Sequence, residues 1–151
     1  MVLVMLVAFG CRTEPSAPAD SSSFPTRHTY NVPPKTLLEK VKGVITSAPI
    51  NLPIETEQEG RMVTGWQSQT GARVSVGVAG RTWQERTRYT ITIAPAWDDP
   101  NNKSTIEVAE ETQQRPHEKY EWGSLEPVRR PERAAEMAQR IDSELARSGK
   151  P

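Results

Sequence analysis

Two segments in the middle of the chain alternate between apolar and polar side chains. In residues 84–94, Tyr89, Ile91 and Ile93 share one side of an extended backbone, and in residues 104–112, Ile106 and Val108 do the same. A period of two is typical of strands that bury one face and leave the other in water. Residues 97–102 are rich in aspartate and asparagine and predict a turn between them. The chain is thereby limited to folds with an antiparallel, one-sided sheet.

Shorter strands are predicted around this pair. Residues 29–32, 52–57, 61–67 and 74–78 have the β-branched content or the alternation of strands. Glu59 and Gly60 predict a turn between the second and third of them, which makes those two a hairpin. In residues 61–67 the alternation groups Met62, Thr64 and Trp66 on one face.

Two segments have helical periodicity instead. The first has Pro33 and Pro34 suited to its first turn, ends near Ser47 and is stopped by Pro49; the second begins at Pro131 and closes at residues 148–149. Each has one apolar stripe, so each must bury that stripe against the sheet. The prediction is an α+β fold, an antiparallel sheet of four to five strands with two helices packed on one face, in the order β-α-β-β-β-α. The apolar residues of the two stripes are Leu37, Leu38, Val41, Val44, Ile45 and Ala48, then Ala134, Met137, Ala138, Ile141 and Leu145.

The N-terminus carries the only cysteine, Cys11, directly behind an apolar run from Val2 to Phe9 that Gly10 closes. The run is about half the roughly 20 residues that a transmembrane helix needs, but it fits the apolar core of a signal peptide. Small residues at Ala8 and Gly10 suit a signal peptidase, and the segment is similar to the lipobox of bacterial lipoproteins, whose cysteine is acylated. Two alternatives stay open: a secretory signal with a free Cys11, and a cytosolic chain with an apolar N-terminus.

The domain organisation follows from this interpretation. Residues 1–10 are predicted to be a lipoprotein signal peptide, and residues 11–27 an acylated Cys11 with a disordered tether. Phe24 is the one large apolar residue in residues 12–27, too little apolar surface to offset the entropy lost on ordering. Residues 28–148 are predicted to form a single α+β domain.

A family resemblance joins these features. The run from Tyr30 to Pro33 leading into the first helix, the pair Gly65-Trp66, residues 83–93 and Trp122 ahead of a C-terminal helix resemble the BamC-like lipoproteins of Gram-negative bacteria. The resemblance covers about residues 28 to 147. It implies a helix-grip-like fold and an envelope lipoprotein at the outer membrane, facing the periplasm and held by acyl chains such as palmitate. Arg12, rather than an aspartate, after the cysteine favours the outer membrane.

Composition and spacing argue against several classes of function. The 19 Lys and Arg balance 19 Asp and Glu, so no basic field attracts nucleic acid. His28 and His117 are isolated, which predicts no metal site, and no serine has the setting of a nucleophile. Asp98 and Asp99 are predicted to cap their own turn. We therefore expect no enzyme, no cofactor and no metal.

A partner-binding surface is the remaining hypothesis. Trp83, Arg86, Arg88 and Trp97 lie on or beside the strand of residues 84–94, and tryptophan and arginine are common anchors of protein interfaces. The competing interpretation is a solvated sheet face, with Arg81, Arg86 and Arg88 across from Glu107, Glu110 and Glu111. Trp66 and Trp122 are predicted to be core residues. The alternative function is a small apolar ligand held between the sheet and the C-terminal helix, against the stripe of Met137, Ile141 and Leu145.

Overall fold

The computed structural model describes residues 26–68, 84–116, 121–123 and 130–149. The signal segment, Cys11, the predicted strand at 74–78, Arg81, Trp83 and His117 lie outside these residues. Within them the elements are, in chain order, β1 (Arg27–Tyr30), α1 (Pro34–Thr46), β2 (Ile54–Gln58), β3 (Arg61–Thr64), β4 (Gln67–Ser68), β5 (Gln84–Pro95), β6 (Ser104–Arg115) and α2 (Pro131–Ser148).

All strand pairs among the described residues are antiparallel, in the order β1-β6-β5-β3-β2. The predicted α+β class with an antiparallel sheet and two helices is confirmed. The main path has five strands, and the two-residue β4 adds a sixth by pairing with β5 beyond the end of β3. The β5–β6 hairpin is the longest pair, with register from Gln84 opposite Arg115 to Pro95 opposite Ser104.

The turn between β2 and β3 lies at the predicted position. Glu59 and Gly60 have φ angles of 45° and 81°, the left-handed values of a two-residue hairpin turn. A Cβ on Gly60 would lie 2.6 Å from the carbonyl oxygen of Ile93, and the Ile93 amide donates to the Gly60 carbonyl at 2.7 Å. Glycine is required here because both the φ angle and the contact with β5 exclude a side chain.

Both helices pack on one face of the sheet, where they form a single core. The buried stripe of α1 meets that of α2 and the inward residues of β3, β5 and β6. Ala134 and Ala138 are 4% and 2% exposed, so the backbone of α2 lies close to the sheet. The core residues with 1% exposure or less are Leu37, Val41, Ile45, Met62, Ile91, Ile106 and Ile141.

The first strand begins two residues earlier than the predicted residues 29–32. Arg27 is already in β1, opposite Glu107, and the Val108 amide donates to the Thr26 carbonyl at 3.0 Å. At the other end of β1, the Tyr30 hydroxyl donates to Asp142 of α2 at 3.0 Å. This edge strand therefore connects the sheet to the C-terminal helix.

Candidate functional site

The outward face of the β5–β6 hairpin is polar and half-exposed at the end near residues 84–88. Arg86 and Arg88 of β5 point away from the helices, and Glu111, Gln113 and Arg115 of β6 lie opposite or diagonal to them. This parity follows from the alternation, because Ile91 and Ile93 in the same strand are buried on the helix side.

Two tryptophans contact these arginines in an alternating series. The guanidinium carbon of Arg88 lies 4.5 Å from the ring centroid of Trp66, and that of Arg86 lies 4.3 Å from the same ring. Arg86 is also 4.6 Å from the ring of Trp122, which Arg115 approaches to 4.3 Å. All four distances are within cation–π range. We call this set, Arg88, Trp66, Arg86, Trp122 and Arg115, the arginine–tryptophan stack.

A one-residue bulge places Trp66 in the stack. Val63 pairs with Thr90, whereas Gln67 pairs with Thr87, so four steps along β3 and β4 match three along β5. The extra residue lies at 64–66, where the Tyr89 amide donates to the hydroxyl of Thr64 at 2.9 Å. A bulge reverses which face the following residues occupy, so Trp66 joins Arg88 on the outer face.

The prediction that Trp66 and Trp122 are core residues is therefore wrong. Neither belongs to the buried cluster, and both are half-buried against arginines on the face opposite the helices. Simple alternation grouped Trp66 with Met62 and Thr64, because it carries no information about an inserted residue. The glycine at position 65 is the one local signal of a bulge.

Side chains of β6 and β5 orient the guanidinium groups. Nε and one terminal nitrogen of Arg86 donate to Gln113 Oε1 at 3.2 and 2.7 Å. Arg88 binds Glu111 through Nε at 2.8 Å and through a terminal nitrogen at 2.7 Å, and Arg115 Nε donates to Gln84 at 2.7 Å. Of these three acceptors only Glu111 is charged, so Arg86 is oriented by a neutral amide.

The pKa of Arg86 reflects both burial and the charges of neighbouring side chains. Burial lowers the pKa of Arg86, and repulsion from Arg115 and Arg88 lowers it further, whereas Glu111 and Glu55 raise it by less. The group stays protonated, as arginine does in proteins. Burial is the largest cause of the shift, and each of the two arginines has a larger effect than either glutamate.

The helix side of the same strand end carries a buried ion-pair network. Glu85, 3% exposed, is 2.6 Å from Arg133 and 3.1 Å from Arg130, and it accepts from Gln114 at 2.8 Å. Burial raises the pKa of Glu85, but hydrogen bonds from Gln114, Arg133 and Arg130 outweigh it and hold the pKa below its usual value. The network joins the first turn of α2 to β5 and β6.

Buried hydroxyls and a second carboxylate complete this network. The hydroxyls of Thr87 and Thr112 are 2.9 Å apart, and Arg133 donates to Thr87 at 2.9 Å. Glu110 accepts from the Arg130 amide at 3.0 Å and from the Thr112 hydroxyl. Because Glu110 points toward α2, the predicted cross-strand pairing of Glu110 with an arginine of the outer face is wrong; that of Arg88 with Glu111 is confirmed.

Trp97 lies at the other end of the hairpin. It is 96% exposed, in a turn where Asp99 accepts from the Asn102 amide at 3.3 Å and Asp98 binds Lys103 at 2.7 Å. The predicted capping role of Asp99 is confirmed, and the hydrogen bond from Lys103 lowers the pKa of Asp98. Arg86 and Pro95 are nine steps apart in β5, or roughly 30 Å at about 3.3 Å a residue. Trp97 therefore does not form one site with Arg86 and Arg88.

No group of three or more His, Cys, Asp or Glu side chains that could hold a metal occurs among the described residues. A cleft of about 470 Å³ lies between the C-terminal ends of α1 and α2, and one of about 360 Å³ lies beside α2 near Pro49. Neither cleft lies between α2 and the sheet, where Met137 and Ile141 are 5% and 1% exposed.

Comparison with models of known protein families and with curated proteins finds no match to this sequence. In the part of the chain that the structure describes, neither helix has the length and apolar character needed to cross a membrane. The geometry of the stack is therefore the main observation that bears on function.

Proposed function

We propose that this chain is a non-enzymatic lipoprotein of the Gram-negative cell envelope. Cys11 carries the acyl chains that attach it to the outer membrane, and the α+β domain faces the periplasm and binds a protein partner. One acyl chain gives marginal attachment and two or more give stable anchoring, at about 0.8 kcal/mol per buried methylene. Envelope or outer-membrane protein assembly is the process that the resemblance to BamC-like lipoproteins implies.

The observation that carries partner binding is the arginine–tryptophan stack. A solvated sheet face needs only polar side chains, but this face holds two half-buried indoles and three oriented guanidinium groups on the side opposite the core. Tryptophan and arginine are the residues most enriched at interface hot spots. The cross-strand acceptors of the three arginines hold the guanidinium groups in position before a partner binds, which lowers the entropy cost of binding.

The alternative of a small apolar ligand has no comparable support. It requires the stripe of Met137, Ile141 and Leu145 to stand away from the sheet, whereas Met137 and Ile141 are buried in the core. We therefore retain partner binding as the single proposal.

The anchor is tested by replacing Cys11 with serine. We expect Cys11→Ser to release the domain into the soluble periplasmic fraction, while the parent chain stays with the outer membrane. Mass spectrometry of the parent chain should show acyl groups on Cys11. An unmodified chain, or membrane retention of the variant, would contradict the anchor.

The partner surface is tested by crosslinking in cells. A photo-crosslinking residue at Thr90, two residues from Arg88 on the outer face, should capture a discrete protein. The same probe at Gln139, exposed on α2, is the matched control and should not capture it. A third probe at Trp97 shows whether the partner contacts the turn end of the hairpin or the end near residues 84–88. Capture from Gln139 alone would place the interface on the helix side and refute the proposal.

A further inference from the structure

Arg86 is the central member of the stack, and its hydrogen-bond acceptor carries no charge. It contacts both indoles, and Gln113 takes two of its five N–H donors. Gln113 is its one hydrogen-bond acceptor among the described residues, and that acceptor is neutral. The remaining donors form a planar, preoriented edge, which is the geometry that a carboxylate accepts in bidentate fashion.

The spacing along β5 favours an extended ligand. Arg86 and Arg88 are two residues apart in the strand, so they project from the same face about 6.6 Å apart along it. Alternate side chains of an extended peptide have the same repeat. A segment with acidic residues at alternate positions can therefore place one carboxylate at Arg86 and the next beside Arg88.

The neighbouring charges argue against a continuous polyanion. Glu111 binds Arg88 and is 43% exposed, Glu55 is close enough to act on Arg86, and Glu107 is exposed on the same face of β6. A membrane of anionic lipids or a nucleic acid would bring negative charge against these carboxylates as well as against the arginines. A peptide with separate carboxylates can avoid them.

We infer that the arginine–tryptophan stack binds an acidic, extended peptide segment of the protein partner, with Arg86 receiving a carboxylate. The inference rests on the proposed function and specifies the chemistry of the partner. The indoles hold the guanidinium planes in place, and the carboxylate contacts the free edge of Arg86.

The test uses the full chain in detergent and a blocked synthetic peptide that alternates threonine and glutamate. A second peptide has glutamine in place of each glutamate. At low ionic strength we expect the glutamate peptide to bind at least about tenfold more tightly, the effect of one charge-assisted hydrogen bond. Arg86→Gln should remove that preference. Arg61→Gln is the matched control on the same face, opposite Thr92, six residues from Arg86 along β5, and should retain it.

Equal binding of the two peptides to the parent chain would overturn the inference, whatever the fate of the variants. Binding of phosphatidylglycerol vesicles that Arg86→Gln abolishes, without binding of the peptide, would also overturn it in favour of a lipid surface. If Arg86→Gln fails to fold, the inference is tested by comparing the two peptides on the parent chain and on Arg88→Gln, which removes the neighbouring guanidinium group. Capture of a partner from Thr90 together with equal peptide binding would leave the proposed function standing and refute this inference alone.

Discussion

The two halves of the β5–β6 hairpin differ sharply although they belong to the same two strands. From Tyr89 to Pro95, β5 places Ile91 and Ile93 under the helices, against Ile106 and Val108 of β6. In the half from residues 84 to 88, the helix side is an ion-pair network and the outer side is the arginine–tryptophan stack.

The two halves contribute differently to the stability of the fold. The apolar half buries Ile91 and Ile93 almost fully, and apolar burial is the main stabilising contribution to folding. The polar half uses charge on both faces, which contributes less net free energy but fixes positions and presents donors. A binding surface in the polar half can therefore vary without loss of the fold.

The largest effect is expected in the apolar half. Ile91→Ala should lower the free energy of unfolding by about 2–5 kcal/mol, since it leaves a cavity at a fully buried position. Urea denaturation measures this. Val63→Ala, half-buried on the outer face of β3, is the control and should cost less. A larger loss for Val63→Ala would mean that the core lies on the other face.

The second effect concerns the buried network. Glu85→Gln should lower the free energy of unfolding by about 1–3 kcal/mol, because it leaves two arginines without their buried carboxylate. The control is the same substitution on the outer face, Glu111→Gln, which should cost less than about 1 kcal/mol because that pair is solvated. Equal losses would show that burial does not distinguish the two faces.

The pH dependence follows from the direction of the Glu85 shift. The pKa of Glu85 is lower in the folded state, so its stabilisation is complete above the pKa of an unfolded glutamate, about 4.3. The stabilisation falls as pH drops through the folded pKa, because protonation then favours the unfolded chain. The difference in unfolding free energy between the parent chain and Glu85→Gln should shrink below about pH 4. A constant difference would contradict the ion-pair assignment.

A smaller effect is expected within the stack. A double-mutant cycle of Trp66→Leu and Arg86→Gln should give a coupling of about 0.5–1 kcal/mol, typical of a half-exposed cation–π contact. The cycle of Trp66→Leu with Arg61→Gln should show no coupling because Arg61 lies far along the same face. Coupling in the second cycle would show that the two effects are not local.

The smallest effect is expected at Trp97. Trp97→Ser should leave the free energy of unfolding unchanged, because the side chain is 96% exposed and packs against little. Urea denaturation beside the parent chain checks this. A measurable loss would contradict the exposure of this side chain.

Much of the fold and part of the candidate site could be predicted from the sequence. The positions of α1, α2, the β2–β3 turn and the β5–β6 hairpin followed from periodicity and from glycine and proline at element ends. Arg86, Arg88 and the pairing with Glu111 were also predicted. The tryptophans of the stack were not, because Trp66 depends on the bulge before β4 and Trp122 comes from a distant segment.

The sequence by itself determined which residues face the core along each regular element, since a period of two or of 3.6 is set by backbone geometry alone. The tertiary structure decided what the polar residues contact. The one-residue bulge between β3 and β4 places Trp66 on the outer face. The contact between Trp122 and Arg86 joins residues that are 36 positions apart in the chain. Such contacts depend on strand register and on which distant segments of the chain meet, and local sequence patterns do not encode either.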